Sequence, residues 1–370
     1  MSSKLYNIYN LNEQRTFSNY KKGLQNLGNT CFLNSILQCL RINLDFSNYF
    51  LQKEFYSGDY SIIKTELNKK KTESFLTIGW YELLKDLWND DINTAVNPKK
   101  FFNYYQKVSK ELKRYNFCGN NQNDAEEFLL FFLNCIHDSL SDKDLTITVG
   151  GDISNKTDEL QKKFYEFLKK HLEIEGLSII KGLFTGFQIS TIENSHNDKA
   201  SYNFEPFVYI NLEIPNNSTT IHECMYHYTK TSQLDKDYKQ KEFPENTTYH
   251  KTTKFISLPH HLIIVLKRFK KKITSRGIQL TKNTDLINYP LELDMNSYTY
   301  GYSNNTNSIY DLQAVTFHTG NLGGGHYYCI GKSKNNEWIL YNDAQTGIIQ
   351  ENQSKIINNE AYILFYQKRK

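Results

Sequence analysis

The chain has 370 residues, of which 44 are basic and 40 acidic, and its formal net charge is +4 at pH 7. This nearly even balance of positive and negative charge argues against nucleic acid or a membrane surface as the partner. No apolar run approaches the ~20 residues that a membrane span needs. The hydrophobic share of 39% and the aromatic share of 14% are enough for a sizeable core, and no linker rich in Pro, Gly or Ser divides the chain. We therefore expect one large soluble unit built of lobes.

The cysteine pattern argues against a disulfide scaffold and against a four-cysteine zinc site. The six cysteines include no C-x-x-C pair and lie at positions 31, 39, 118, 135, 224 and 329. The segment "IHECMYHY" offers His222, Cys224 and His227, but we read it as a strand, along which their alternating spacing suits no usual zinc site. We predict a reducing compartment, the cytoplasm or the nucleus, and neither a metal nor a cofactor.

Hydrophobic periodicity divides the chain into a polar leader, residues 1–22, a helical part and a strand-rich part. Helical periodicity follows Thr30 and Asp124 and returns over 158–176;. From about residue 183 the pattern becomes that of short strands joined by polar turns. The sequence thus predicts an α+β fold with a cleft between a helical lobe and a mostly antiparallel lobe.

A cysteine lies where the loop of "GLQNLGNTCFLNSILQCL", residues 23–40, becomes a helix. In the first turn of a helix, Cys31 would meet free backbone N–H groups and the positive end of the helix dipole, so we expect its pKa to fall. Asn26 is placed to aim its amide at an oxyanion that forms on a substrate carbonyl. The alternative is a buried helix cysteine beside an ordinary turn, which is how we interpret Cys39.

A nucleophilic cysteine needs a base, and His326 is the strongest candidate. It follows three glycines in "HTGNLGGGHYYCIG", which leave room for a ligand backbone directly before a strand;. If a hairpin forms around 333–337, Lys332 pairs with Trp338 and His326 lies diagonal to Asn342 on one face. A loop one residue shorter would shift the register and put Asp343 on that face instead. We favour Asn342, with Asp343 as a neighbour that shares or assists the role of orienting the imidazole.

Five motifs in order resemble those of the ubiquitin-specific proteases. "GLQNLGNTCFLNSILQCL" is similar to the family's cysteine box, and "GGGHYYCIG" with "WILYNDAQTG" to its histidine box. "QNDAEEFLLFFL" resembles the glutamine box, "SLPHHLIIVLKRF" the LP…LKRF strand and "AYILFY" the closing strand. The resemblance implies a papain-like fold with a thumb at about 23–140, a connection at about 141–180, and fingers and palm at about 181–370.

The resemblance also implies a function, the thiol-dependent hydrolysis of the isopeptide or peptide bond after the C-terminal Gly-Gly of ubiquitin. Carried over by position, Cys31 is the nucleophile, His326 the base, Asn342 its orienting partner and Asn26 the oxyanion-hole residue. Ubiquitin and ubiquitinated proteins are the implied partners of a protein expected to be a monomer. Many members of the family carry two C-x-x-C pairs that bind zinc in the fingers, and their absence here motivates one alternative, a catalytically silent ubiquitin-binding scaffold. A further alternative is a protease for a ubiquitin-like modifier.

Further residues are implied to line the channel for the ubiquitin tail. Asp124 and Glu127 can be interpreted as a variant of the capping box, and the family suggests that they grip the basic residues of the tail. Gln122 matches a residue near the catalytic centre, and His318 a tail-lining position. The set implied to contact the tail is Gln122, Asp124, Glu127, His318, Gly324, Gly325 and Tyr327.

Overall fold

A computed structural model describes most of the chain. The described ranges are 17–52, 71–89, 94–142, 159–195, 199–235, 237–238, 247–274, 277–300, 308–321, 324–350 and 353–369. The predicted leader lies partly outside them, because residues 1–16 are not described. None of the helices in these ranges is long and apolar enough to cross a membrane.

The first half of the described chain is helical, as the periodicity predicts. Its helices are α1 (Cys31–Ile42), α2 (Leu44–Leu51), α3 (Ser74–Leu87), α4 (Lys99–Glu111), α5 (Ala125–Leu140), α6 (Glu159–Glu175) and α7 (Ile179–Phe184). All twelve residues of α1 are buried, including the polar side chains Asn34, Gln38 and Arg41. This helix is therefore covered on both faces, and its polar residues must find partners inside the protein.

Three residues that the sequence assigned to the polar leader, Phe17, Tyr20 and Lys22, are buried, while the residues between them are partly or fully exposed. The rings of Phe17 and Tyr20 pack against Trp88 with centroid distances of 4.6 and 5.0 Å. The ammonium group of Lys22 donates to the carbonyl oxygen of Asp86 at 2.9 Å. The segment looked polar because the interior partners of Lys22 are backbone carbonyls, which a sequence pattern does not reveal.

The second half of the described chain consists mainly of strands. They are β1 (Gly186–Asn194), β2 (Lys199–Phe207), β3 (Ile210–Glu213), β4 (Ser232–Gln233), β5 (Tyr249–Ser257), β6 (His261–Lys267), β7 (Phe269–Thr274), β8 (Gly277–Lys282), β9 (Glu292–Asp294), β10 (Ile309–Asn321), β11 (Gly324–Lys332), β12 (Trp338–Asn342), β13 (Gln345–Ile349) and β14 (Ala361–Lys368). Two short helices, α8 (Ile221–Thr229) and α9 (Gln353–Ile356), interrupt them.

The larger sheet has the order β13-β12-β11-β10-β14-β6-β3, with β9 paired to β10, and it separates two cores. Alternate residues of β14 show why: Ile363 and Phe365 face the helical core, whereas Leu364 and Tyr366 face a second core on the other side;. A four-stranded sheet, β2-β1-β5-β4, and the hairpin β7-β8 complete the strand-rich part. The predicted α+β architecture is confirmed.

The segment predicted as a strand around Cys224 is instead helix α8. The hydroxyl of Thr220 accepts from the backbone N–H of Glu223 at 3.2 Å, and the Glu223 carboxylate accepts from the backbone N–H of Thr220 at 3.0 Å. This reciprocal capping box starts a helix regardless of the alternation that follows. The sequence "KRFKKK", residues 267–272, suggests a solvated basic face, but the guanidinium of Arg268 is buried and donates to the carbonyl oxygen of Ala361.

Candidate active site

Cys31 is the first residue of α1 and follows a sharply turned loop. Gly28 and Asn29 have φ angles of 98° and 56°, a left-handed region that glycine and asparagine tolerate best;. Backbone N–H groups of Tyr327, Phe32 and Cys31 itself are directed at the sulfur. Tyr327 follows His326 directly on β11, and β11 packs against α1, so the residues predicted to act as nucleophile and base lie on two elements that are in contact.

The expected low pKa of Cys31 is wrong for the free protein. Burial raises the pKa of the thiol above its usual range, although the backbone N–H groups of Tyr327, Phe32 and Cys31 oppose this rise, and the Asp343 carboxylate adds to it. The residue is only 4% exposed, so the loss of hydration outweighs the helix start;. At neutral pH the resting group is a thiol, and attack requires a base to remove its proton.

The imidazole of His326 is held by Asn342, as the predicted hairpin register requires. The β11–β12 ladder pairs Lys332 with Trp338, and the His326 Nε2 atom lies 2.6 Å from Asn342 Oδ1. Since an amide oxygen only accepts, Nε2 carries the proton and Nδ1 of the neutral ring has its lone pair available. The imidazole is therefore fixed in the tautomer of a general base.

Asp343 has a different role from Asn342. Its Oδ2 atom is 4.0 Å from His326 Nε2, beyond hydrogen-bond distance. Its two carboxylate oxygens instead accept from Asn34 Nδ2 at 2.8 Å and from Asn26 Nδ2 at 2.9 Å. In the free protein, therefore, Asn342 and not Asp343 contacts the His326 imidazole, and Asp343 holds Asn26.

The amide of Asn26 has one possible orientation. Its Oδ1 atom accepts from the backbone N–H groups of Gly28 at 2.9 Å and Thr30 at 3.2 Å. Its Nδ2 atom must then point away from the loop, where Asp343 accepts one of its two N–H bonds. The second N–H bond is free of these restraints, and Asn26 is exposed, so the amide can donate to an incoming carbonyl oxygen. Asn34, which the sequence analysis did not select, completes this arrangement.

Gln122 connects the segment before α5 to the strand that carries the base. Its Oε1 atom accepts from the backbone N–H of Gly325 at 3.2 Å, and its Nε2 atom donates to the Gly325 carbonyl oxygen at 3.4 Å. A side chain at Gly325 would lie 2.2 Å from His318 Nε2, whereas Gly324 faces open space. The two glycines therefore serve different purposes, close packing at Gly325 and free room at Gly324.

His318 and Tyr327 form the wall behind these glycines. Burial, together with the nearby charge of Lys282, lowers the pKa of His318 to about 4, so this imidazole is neutral at pH 7 and too weak a base to serve as a second one. Its ring packs against Tyr327 at a centroid distance of 4.6 Å. The Tyr327 side chain is only 7% exposed, which differs from the predicted tail contact. It supports the channel wall from behind and offers little surface to a ligand.

An acidic cluster lies at the start of α5. Asp124 caps the helix by accepting from the backbone N–H of Glu126 at 2.8 Å, and the Tyr362 hydroxyl donates to Asp124 at 2.9 Å. Burial raises the Asp124 pKa to about 6. Glu126 joins Asp124 around Tyr362, whereas Glu127 accepts from Asn116 Nδ2 at 3.4 Å. The helix start is confirmed, but the capping-box partner is not Glu127, and the sequence analysis missed Glu126 and Tyr362.

Cys39 lies deep in the interior. Its sulfur is 3.3 Å from the Thr316 hydroxyl, and the residue is 2% exposed. Of the two cysteines in α1, only Cys31 lies beside a histidine held by an amide. The interpretation of Cys39 as a packing residue is confirmed.

Comparison with known proteins agrees with this geometry. A sequence model of the family "Ubiquitin carboxyl-terminal hydrolase" matches residues 22–366. Ubiquitin carboxyl-terminal hydrolase 2 of Homo sapiens is 32% identical over 356 residues, which cover 93% of this chain and 54% of that protein. Ubiquitin carboxyl-terminal hydrolase 2 of Gallus gallus is 30% identical over 352 residues, which cover 93% of this chain and 92% of that protein.

Solved structures share the fold. The SAGA Ubp8/Sgf11/Sus1/Sgf73 DUB module bound to ubiquitin aldehyde contains a chain that superposes with a TM-score of 0.70 at 26% identity, covering 96% of this chain and 70% of that one. The chain spans about half the length of the mammalian relatives it matches. Since the family model covers nearly all of its residues, the chain belongs to the ubiquitin carboxyl-terminal hydrolase family.

Proposed function

We propose that the protein is a cysteine-type deubiquitinase that hydrolyses the isopeptide or peptide bond after the last glycine of ubiquitin. The 2.6 Å contact between His326 and Asn342, on the strand that packs against Cys31, carries this proposal. A related module bound to ubiquitin aldehyde supports it, since an aldehyde at the ubiquitin C-terminus is an electrophile suited to a thiol;.

The first chemical step is proton transfer from the Cys31 thiol to His326 Nδ1, followed by attack of the sulfur on the glycine carbonyl carbon. Because burial raises the thiol pKa, the thiolate forms only when the base and the substrate are both in place;. The imidazolium that results is stabilised by Asn342, which accepts from its Nε2. It then returns the proton to the leaving amine, and water hydrolyses the thioester.

The oxyanion of the tetrahedral intermediate is stabilised by Asn26 and by the backbone N–H groups at the start of α1. Asn26 is held by the loop on its oxygen side and by Asp343 on its nitrogen side, so its free N–H bond is oriented before substrate arrives. A donor oriented in advance needs no reorganisation during the reaction, which is the main source of its catalytic effect.

The acidic cluster at the start of α5 is the proposed site for the basic residues of the ubiquitin tail. Asp124 and Glu126 lie on one side of Tyr362, with Asn211 donating to Glu126 at 3.1 Å. The Gly-Gly end of the tail would follow Gly324 toward Cys31, since that position leaves open space. Glu127 and His318 stay predicted contacts of the tail.

Partners beyond ubiquitin follow the same proposal. Ubiquitinated proteins are the expected substrates, and we propose that the protein acts as a monomer in the cytoplasm or the nucleus, without nucleic-acid or membrane binding. The nearly balanced charge supports the last two points;.

A ubiquitin probe with a C-terminal electrophile tests the proposal. Wild-type protein is expected to form a covalent adduct at Cys31, located by peptide mass spectrometry, and Cys31→Ala is expected to form none. A Cys39→Ala variant serves as the matched control and should label like wild type. Labelling at any other residue would overturn the assignment of the nucleophile.

A silent ubiquitin-binding scaffold is the second candidate, and the raised pKa of the Cys31 thiol favours it. It predicts that ubiquitin binds wild type and Cys31→Ala equally and that the probe labels neither. Probes built on ubiquitin-like modifiers, used in competition with the ubiquitin probe, separate the third possibility, a protease for a related modifier. Preferential labelling by one of those probes would replace ubiquitin as the substrate.

A further inference from the structure

Three side chains outside the active site converge on one point at the junction of the helical lobe and the large sheet. Asp45 lies in the first turn of α2, and His260 and His261 lie at the start of β6. The Nε2 atoms of both histidines are 3.1 Å from the same carboxylate oxygen, Asp45 Oδ2. Among the described residues, this is the one group of three such ligands whose donor atoms all lie within 4.8 Å of one another.

The backbone explains how two consecutive histidines reach one oxygen. Neighbouring residues in a regular strand point to opposite faces. His260 precedes β6, in the irregular segment that separates it from β5, and its carbonyl oxygen accepts from the backbone N–H of Lys368 at 2.8 Å. The break in the strand therefore lets both imidazoles turn toward α2. The backbone of the fold thus brings the two histidines to one carboxylate oxygen.

The spacing of the donor atoms suits a tetrahedral metal ion. Zinc binds imidazole nitrogen and carboxylate oxygen at about 2.0–2.2 Å, so the edge of the coordination tetrahedron is roughly 3.3–3.5 Å. The two nitrogen-to-oxygen distances of 3.1 Å are within a few tenths of an ångström of that edge. Two imidazoles and a carboxylate are also a donor set typical of zinc, while magnesium and calcium prefer oxygen ligands.

Gln367 is the candidate for a fourth ligand. In the free protein its Nε2 atom donates to Asp45 Oδ2 at 3.0 Å. Rotating its amide by half a turn brings the carbonyl oxygen to the same place, and a water molecule is the alternative ligand. The side chains of His260 and Asp45 are 17% and 19% exposed, so an ion can enter from solvent. Zinc binding requires only that the two neutral imidazoles carry their proton on Nδ1.

We propose that Asp45, His260 and His261 form a zinc site that ties α2 to β6 and β14. Its role is structural, because it joins the helical lobe to the large sheet through residues that take no part in the proposed active site. The competing account is a cluster held by hydrogen bonds alone, in which Asp45 accepts from three side chains and binds no metal. The site is separate from the proposed function and does not depend on it.

The test uses the full chain with the Cys31→Ala substitution, which removes the active-site thiol as a zinc ligand. Titration against a chromophoric zinc chelator gives the stoichiometry and the affinity, and cobalt substitution reports tetrahedral coordination through its visible absorption. Thermal unfolding with and without zinc gives a second readout. The test variants, in the same background, are His260→Asn and Asp45→Asn. His222→Asn is the matched control, because it removes a histidine of α8 that does not belong to the cluster of Asp45, His260 and His261.

We expect one zinc ion per chain and an unfolding temperature raised by about 3–5 °C at saturating zinc. Both test variants should lose roughly 100-fold or more in affinity, His222→Asn should bind like its parent, and magnesium should have no effect. If Asp45→Asn fails to fold, the zinc affinity of His260→Asn decides the test, because the His260 side chain is partly exposed and its replacement should be tolerated. Absence of zinc uptake by the parent at micromolar free zinc, or equal uptake by His260→Asn and His222→Asn, would overturn the proposal.

Discussion

At the scale of single residues, burial decides the state of the nucleophile. A helix start alone lowers a thiol pKa, yet the Cys31 thiol has a raised pKa because it is almost fully buried and lies near Asp343;. The same carboxylate that adds to the rise also holds Asn26. The Asp343 carboxylate thus holds Asn26, the proposed oxyanion donor, and at the same time disfavours the thiolate of Cys31, so we propose that His326 removes the thiol proton.

Asp343→Asn tests whether this residue acts through Asn26. The substitution replaces one accepting oxygen by an NH₂ group, so an amide of Asn26 or Asn34 loses its acceptor. We expect kcat to fall about 10²–10³-fold, as when one oxyanion donor is removed, with a smaller change in KM. Asn26→Ala should lower kcat by a similar factor.

A double-mutant cycle provides the control for that prediction. If Asp343 serves to hold Asn26, the double variant with Asp343→Asn and Asn26→Ala should have a kcat only slightly lower than that of either single variant. Asn342→Ala combined with Asn26→Ala should instead give nearly multiplied losses, because Asn342 acts on His326. Multiplied losses for the Asp343 and Asn26 pair would show that Asp343 works independently of Asn26.

At the scale of elements, local rules located the catalytic strands but missed contacts distant in sequence. Counting the loop from Ser333 to Glu337 was enough to place Asn342 beside His326, since hairpin register follows from loop length. The zinc site was beyond such reasoning: Asp45 is 215 residues from His260, and no short motif joins them. The same holds for Asn34, which meets Asp343 across 309 residues.

The start of α5 gives a prediction on pH dependence. Burial raises the Asp124 pKa to about 6 in the free protein, and a basic residue of the ubiquitin tail would favour the ionised form and lower that pKa in the complex;. Binding below pH 6 must then release a proton from Asp124. The affinity of Cys31→Ala for ubiquitin should accordingly fall, by up to about tenfold per pH unit, as the pH drops below 6.

Asp124→Asn is the matched variant for this measurement. Asparagine caps helices about as well as aspartate, so the free energy of unfolding should change little. Ubiquitin affinity at pH 7.5 should drop by roughly tenfold or more, and its decline below pH 6 should flatten. An unchanged affinity, measured by titration with the Cys31→Ala background, would remove Asp124 from the tail site.

The β10–β11 hairpin contains a second matched pair, Gly325→Ala and Gly324→Ala. A methyl group at Gly325 would meet His318 Nε2 at 2.2 Å, while one at Gly324 meets no atom within 4 Å. We expect Gly325→Ala to lower the free energy of unfolding by about 1–3 kcal/mol and Gly324→Ala to change it by less than about 0.5 kcal/mol. Denaturant unfolding compares the two. Equal stability of both variants would contradict the packing role of Gly325.

At the scale of the whole molecule, the large sheet lies between two cores and is buried on both faces. The sequences of β14 and β6 are nearly continuous apolar runs, which are typical of strands buried on both sides, and the two cores confirm that burial;. Hydrophobic periodicity predicted the α+β fold. It did not predict that Phe17, Tyr20 and Lys22 are buried, because their partners are the ring of Trp88 and backbone carbonyls.

Hydrolysis of a fluorogenic reporter at the ubiquitin C-terminus tests the central claim most directly. Wild-type protein should cleave it, and Cys31→Ala should lose several orders of magnitude in kcat while it still binds ubiquitin. The Cys39→Ala control should keep a rate close to wild type. Cleavage that persists unchanged in Cys31→Ala would contradict the account, because the proposed nucleophile is the Cys31 sulfur alone.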